Sequence, residues 1–106
     1  MSHGDHPPVR IGPPADAAAV VAVTIHGRDR SPDDMVAQLV GPLDTTDVCW
    51  VLPVAEGARW YPNGFAAPAA TNQPDLDDAL STIEHIERTL AVDPRRLLWV
   101  GFSQGA

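Results

Sequence analysis

The sequence predicts an α/β fold, a parallel sheet with helical crossovers, from two observations. Three apolar runs of strand length, at residues 17–25, 48–54 and 97–102, alternate with two segments of helical periodicity. The runs are nearly continuous rather than alternating, as in strands covered on both faces, and strand-helix-strand-helix-strand is the order of a parallel sheet with crossover connections. A chain of 106 residues makes one domain at most.

Residues 1–15 combine Pro, Gly and charge and are expected to be a flexible tail, in which only residues 9–11 could form a short extended piece. His3 and His6 sit in that acidic tail and are assigned no role. The folded unit is expected over residues 16–106. The first run, AAAVVAVTI at 17–25, ends abruptly at His26-Gly27-Arg28. Ser31 then suits a helix N-cap, Pro32 the first helical position, and Asp33 and Asp34 the first turn, where carboxylates face unpaired N–H groups. Met35, Val36, Leu39 and Val40 form the apolar stripe, and Gly41-Pro42 is expected to stop the helix.

The second run, VCWVLPV at 48–54, carries Pro53 near its end, where loss of a ladder donor matters least. A long loop with Trp60, Tyr61 and Phe65 extends to about residue 73; loops of this length in compact domains are often functional. From Pro74, the positions Leu76, Ala79, Leu80, Ile83, Ile86 and Leu90 recur at helical spacing behind an acidic start, and His85 lies off that stripe. Asp93-Pro94 breaks the chain before the third run, LLWVGF at 97–102.

Net charge is −7, from 14 acidic and 7 basic residues, with no Lys/Arg cluster to neutralise a run of phosphates, so nucleic acid is not an expected partner. The single Cys49 lies in an apolar run and reads as a small buried hydrophobe, which excludes a disulfide framework. The first ten residues lack a basic region followed by an apolar stretch, and no segment approaches the ~18 apolar residues of a membrane span. A cytoplasmic location is the expectation.

Gly101-Phe102-Ser103-Gln104-Gly105 fits G-x-S-x-G, a sharp turn after a strand that lifts a nucleophilic serine above the sheet. The glycines suit a turn so tight that a β-carbon has no room. The pattern alone is weak, but it directly follows a predicted buried strand, as the motif requires. His26-Gly27-Arg28 follows the first strand, where such folds place an oxyanion-stabilising loop. The best-placed donors are the backbone N–H groups of Arg28 and Gln104, and His26 reads as a histidine bracing the loop rather than a base.

Taken together, these motifs resemble the phospholipase/carboxylesterase family of α/β-hydrolases, relatives of the acyl-protein thioesterases. The resemblance rests on HGRDRSPDDM at 26–35, on WYPNGF at 60–65 with Ala67-Pro68 and Asn72-Gln73-Pro74, and on GFSQGA at 101–106. It implies the N-terminal half of an α/β-hydrolase domain ending just past the nucleophile. It further implies a serine hydrolase for carboxylic esters, lysophospholipids or thioesters that needs no metal or organic cofactor. By position Ser103 is the nucleophile, Arg28 and Gln104 give the oxyanion N–H groups, and Trp60, Tyr61 and Phe65 lie near the acyl pocket. Family members tend to have small residues after the HGR motif, whereas Asp29 and Arg30 stand here, both disfavoured if that loop needs positive φ.

The triad order in this fold is Ser, then Asp or Glu, then His, and none of the three residues after Ser103 is acidic or histidine. The chain alone is therefore expected to be inactive, with an exposed apolar edge on its third strand and a Gln104 N–H that is not held in place. Two readings stand: a hydrolase cut short, or a non-catalytic product that folds only with a partner. A phosphate-binding reading of the HGRDRS loop lacks either glycine-rich phosphate motif. The first strand is expected between the other two, with Ser103 and Arg28 at the C-terminal edge of the sheet.

Overall fold

Apolar β-branched runs pair wherever backbone donors can be satisfied in a ladder, and here they build one four-stranded sheet. The computed structural model describes residues 2–64 and 66–106. The strands are β1 (Val9–Ile11), β2 (Val20–Ile25), β3 (Val48–Leu52) and β4 (Leu97–Gly101), in the spatial order β1-β3-β2-β4. β2 lies between β3 and β4 and is parallel to both, as expected, with Ala22 opposite Trp50 on one side and Leu98 on the other. The strand begins later than the apolar run: Ala17 and Ala18 donate to the Pro14 carbonyl in a turn, and Ala19 donates to Asp47 O at 2.9 Å.

Residues 2–15 are not a free tail. Val9, Arg10 and Ile11 pair antiparallel with Leu52, Val51 and Trp50, so β1 covers the outer edge of β3. Gly12 lets the chain leave that edge: its φ is +92°, and a β-carbon there would stand 2.3 Å from Val48 O. His3, given no role by the sequence, is buried. Short-range patterning could not expose either feature, because the partners lie 39 or more residues away.

The two-residue period of β2 and β3 splits the core into two layers. Val21, Val23, Cys49 and Val51 face Ile86 and Leu90 of helix α3 (Asp75–Leu90), whereas Ala22, Trp50 and Leu52 face Met35 and Val40 on the other side. Full burial of side chains of this size contributes about 1.5–3 kcal/mol each. Burial also pushes the Cys49 thiol pKa up, consistent with a packing role.

Residues 32–43 form one continuous helical stretch: α1 (Pro32–Met35), a π-helical turn at Val36–Val40, and α2 (Gly41–Leu43). At its start the Asp34 carboxylate accepts the Ser31 N–H at 2.8 Å. The expected stop at Gly41-Pro42 does not occur. The Gly41 N–H bonds five residues back to Val36 O, widening the turn just before Pro42, which has no N–H to give. The stretch ends instead at Asp44, in the left-handed region at φ 47°. Helix α3 matches its predicted span closely, with three aspartates in its first turn. Among the described residues β4 pairs on one side only, and its Leu98 and Trp99 are half-exposed, as is Phe102 just beyond it.

Candidate active site

The turn at the end of β4 is set by sterics at two glycines. A β-carbon on Gly101 would lie 2.6 Å from Gly105 O, and one on Gly105 would lie 2.4 Å from Ile25 O and 2.6 Å from His26 O. Side chains larger than hydrogen are excluded at both positions, so the sequence spacing has a physical cause. Between them Ser103 adopts φ 54°, left-handed and strained for a non-glycine residue, and it is exposed. Phe102 N–H donates to Ile25 O at 3.1 Å, and a 3-10 turn at Ser103–Gly105 follows.

The loop after β2 packs directly on this turn. A β-carbon on Gly27 would meet Phe102 O at 3.2 Å and the Ser103 β-carbon at 3.4 Å, so glycine permits the approach. Arg28 is next along the chain and exposed. Among the described residues, neither the Arg28 N–H nor the Gln104 N–H donates to another protein group. The strain anticipated at Asp29 and Arg30 falls on Asp29 alone, at φ 57°, a residue type that tolerates this region better than most. Asp29 N–H is anchored on Ala58 O at 2.9 Å, and Arg30 N–H closes the turn on Gly27 O at 3.2 Å.

His26 is buried, and its two ring nitrogens fix its tautomer. Nε2 accepts from the Ala55 N–H at 3.2 Å, so Nδ1 carries the hydrogen and donates to Gly27 O at 2.8 Å. Burial pushes its pKa below the ordinary histidine value, keeping the ring neutral. It braces the loop and has no free lone pair to act as a base. His3 likewise has both nitrogens engaged, on Trp60 O and the Glu56 N–H. The His6 Nε2 bonds to Glu56, and His85 lies exposed on α3 with its Nε2 near Thr89 Oγ1. Among the described residues, no histidine is directed to Ser103.

Gln104 is anchored through its side chain, a support the sequence did not suggest. Its side chain is buried, with Oε1 accepting from the Trp60 N–H and Nε2 donating to Tyr61 O, both at 2.9 Å. This two-point amide clasp ties the serine turn to the long loop. The sequence marks Gln104 through its backbone alone; the role of its amide needed the tertiary contact.

Trp60 is almost wholly buried, its Nε1 donating to His26 O at 2.8 Å and its ring lying 5.0 Å from that of His26. Together with Ala55, Ala79 and the half-buried Tyr61 it forms a small third core under the loop. Trp60 and Tyr61 also border a cleft of about 370 Å³ whose other walls include Ile25, Leu76, Leu80, Ile83 and Gln104. Phe65 lies outside the described residues. Asn72, for which the sequence suggested no role, is buried and accepts the Asn63 N–H at 2.7 Å, closing the WYPNGF loop on itself.

A phospholipase/carboxylesterase from Dyadobacter fermentans DSM 18053 has a similar structure, with a TM-score of 0.84 and 29% sequence identity, over 93% of this chain and 48% of that chain. Esterase PE8 shares the fold, with a TM-score of 0.60 at 23% identity over 93% of this chain and 53% of that one. The chain thus spans about half the length of these relatives. No family model and no curated protein matches it. The resemblance to the phospholipase/carboxylesterase family is carried by structure as well as by motif, and the architecture is that of a partial esterase fold.

Proposed function

We propose that this chain supplies the nucleophile and the oxyanion donors of a hydrolase for carboxylic esters, of carboxylesterase, lysophospholipase or thioesterase type. The observation that carries the reading is the strained Ser103 at φ 54° with Gly27 pressed against it, since strain of this kind persists where it serves a site. In this reading Ser103 Oγ attacks the ester carbonyl carbon and passes its proton to a base. The negative oxygen of the tetrahedral intermediate sits on the Arg28 and Gln104 N–H groups. The C–O or C–S bond then breaks as the base returns the proton to the leaving group, and water releases the acyl group from Ser103. The apolar cleft beside Gln104 suits the acyl chain, with Trp60 and Tyr61 among its walls. The base comes from the portion of the longer relatives that this chain does not span, because the four histidines here are engaged or directed elsewhere.

The half-exposed Leu98, Trp99 and Phe102 favour a second reading, a non-catalytic product that requires a partner chain. One experiment separates the two. The chain, and a protein extended by the second half of a 29%-identical relative, are treated with a fluorophosphonate probe and assayed with an aryl ester. The extended protein is expected to label stoichiometrically at Ser103 and to lose turnover in Ser103→Ala. The chain alone is expected to stay orders of magnitude slower, since a triad lacking a member keeps only about 10³–10⁴ of a rate enhancement that commonly exceeds ~10⁶. Turnover that survives Ser103→Ala would remove the serine-hydrolase reading.

A further inference from the structure

His3 is remote from Ser103 in sequence, yet it is the start of a hydrogen-bonded path that ends at the His26 carbonyl, two residues before Arg28, and at the side chain of Gln104. Its backbone N–H is held by the Asp78 carboxylate of α3 at 2.9 Å, which seats the ring in the loop. The Glu56 N–H donates to His3 Nδ1 at 2.8 Å, so the hydrogen resides on Nε2, which donates to Trp60 O at 2.8 Å. The Trp60 indole lies near both imidazoles, with the His3 ring centroid 5.1 Å away and that of His26 5.0 Å away, each tilted to it. From Trp60 the path divides. The indole N–H holds His26 O, two residues before Arg28, and the backbone N–H holds Gln104 Oε1.

Resting on the hydrolase reading above, we propose that His3 is a positioning residue for the oxyanion site. Its imidazole fixes the backbone of Trp60, and Trp60 in turn sets the carbonyl before Gly27-Arg28 and the amide of Gln104. The N-terminal segment is then part of the site although it contributes no atom to the reacting centre. A two-ended group is required, because one ring must accept from Glu56 while donating to Trp60. Glutamine can do both through Oε1 and Nε2, and alanine can do neither.

The test uses amide hydrogen exchange and ¹⁵N–¹H shifts of the chain itself, which do not depend on hydrolysis. In His3→Ala the Glu56 amide exchanges faster directly, and the Trp60 amide, bonded to Gln104, is expected to exchange about five- to tenfold faster by transmission, the loss of about one hydrogen bond. The Gln104 and Arg28 resonances shift, the amide of Val51 in the sheet keeps its protection, and His3→Gln restores the Trp60 amide. An unchanged Trp60 amide in His3→Ala would overturn the proposal. So would a uniform rise that includes Val51, which marks a general stabilising role, or a His3→Gln variant that behaves as His3→Ala does. Failure of Ser103 labelling in the extended protein would instead remove the hydrolase reading and leave the exchange results standing.

Discussion

His26 holds two backbone groups that can be satisfied together only by a neutral ring, and burial lowers its pKa from the usual 6.5. The unfolded chain therefore binds a proton as pH falls through about 6.5 while the folded chain does not, and stability falls with acidification until the lowered folded value is reached. Well above 6.5 the ring is neutral in both states and adds no pH dependence. His26→Asn is expected to lower the urea midpoint near neutrality, through loss of the bond to Ala55, while flattening its pH dependence just below 6.5 relative to the parent. An identical acid slope in parent and variant would show that the ring titrates freely. A different residue-scale consequence falls on the glycines: Gly105 lies against backbone carbonyls, so accommodating Ala there would require the elbow itself to move.

β2 is the element on which the site depends, because both flanking parallel strands and the loop to Arg28 are registered on it. It carries one mismatch. Thr24 is fully buried and its Oγ1 has no hydrogen-bond partner among the described residues. An unsatisfied buried hydroxyl costs on the order of 1–3 kcal/mol, and valine has nearly the same shape without it. Thr24→Val is thus expected to raise stability by about 1 kcal/mol, measured by urea unfolding, with the sheet register unchanged. A destabilised Thr24→Val would mean that the hydroxyl has a polar partner in solution. At the same scale, the π turn in residues 32–43 shows why a Gly-Pro pair failed as a stop signal. A turn of different pitch can absorb the missing donor, so the helix continues to Leu43.

At the scale of the whole molecule, the sheet ends at β1 on one side and at β4 on the other, and β4 carries the larger exposed apolar side chains among the described residues. Among the described residues β4 pairs only with β2, and Leu98, Trp99 and Phe102 at that edge are 39–50% exposed. The three tryptophans accordingly divide: Trp50 and Trp60 are buried at 4% and 3%, and Trp99 is 39% exposed. Acrylamide is expected to quench roughly one of three emitters, and Trp99→Phe should remove that accessible fraction. In the extended protein Trp99 should become protected, as it would if further strands continue the sheet past β4. Equal accessibility of all three tryptophans would contradict the two-layer core.

The sequence by itself determined the parallel order of β2, β3 and β4, both helix starts, the burial of Cys49 and the need for glycine on either side of Ser103. Those features follow from local rules, periodicity, capping and the space around a tight turn, which a few adjacent residues express completely. What only the tertiary structure decided are the antiparallel β1 on the edge of β3, the hydrogen-bond partners of the His3 and His26 rings, and the Gln104 clasp on Trp60 and Tyr61. The physical reason is common to all three. Each depends on a backbone donor or acceptor left open in a segment more than twenty residues away, and an open hydrogen-bonding group leaves no mark on the amino-acid sequence that carries it.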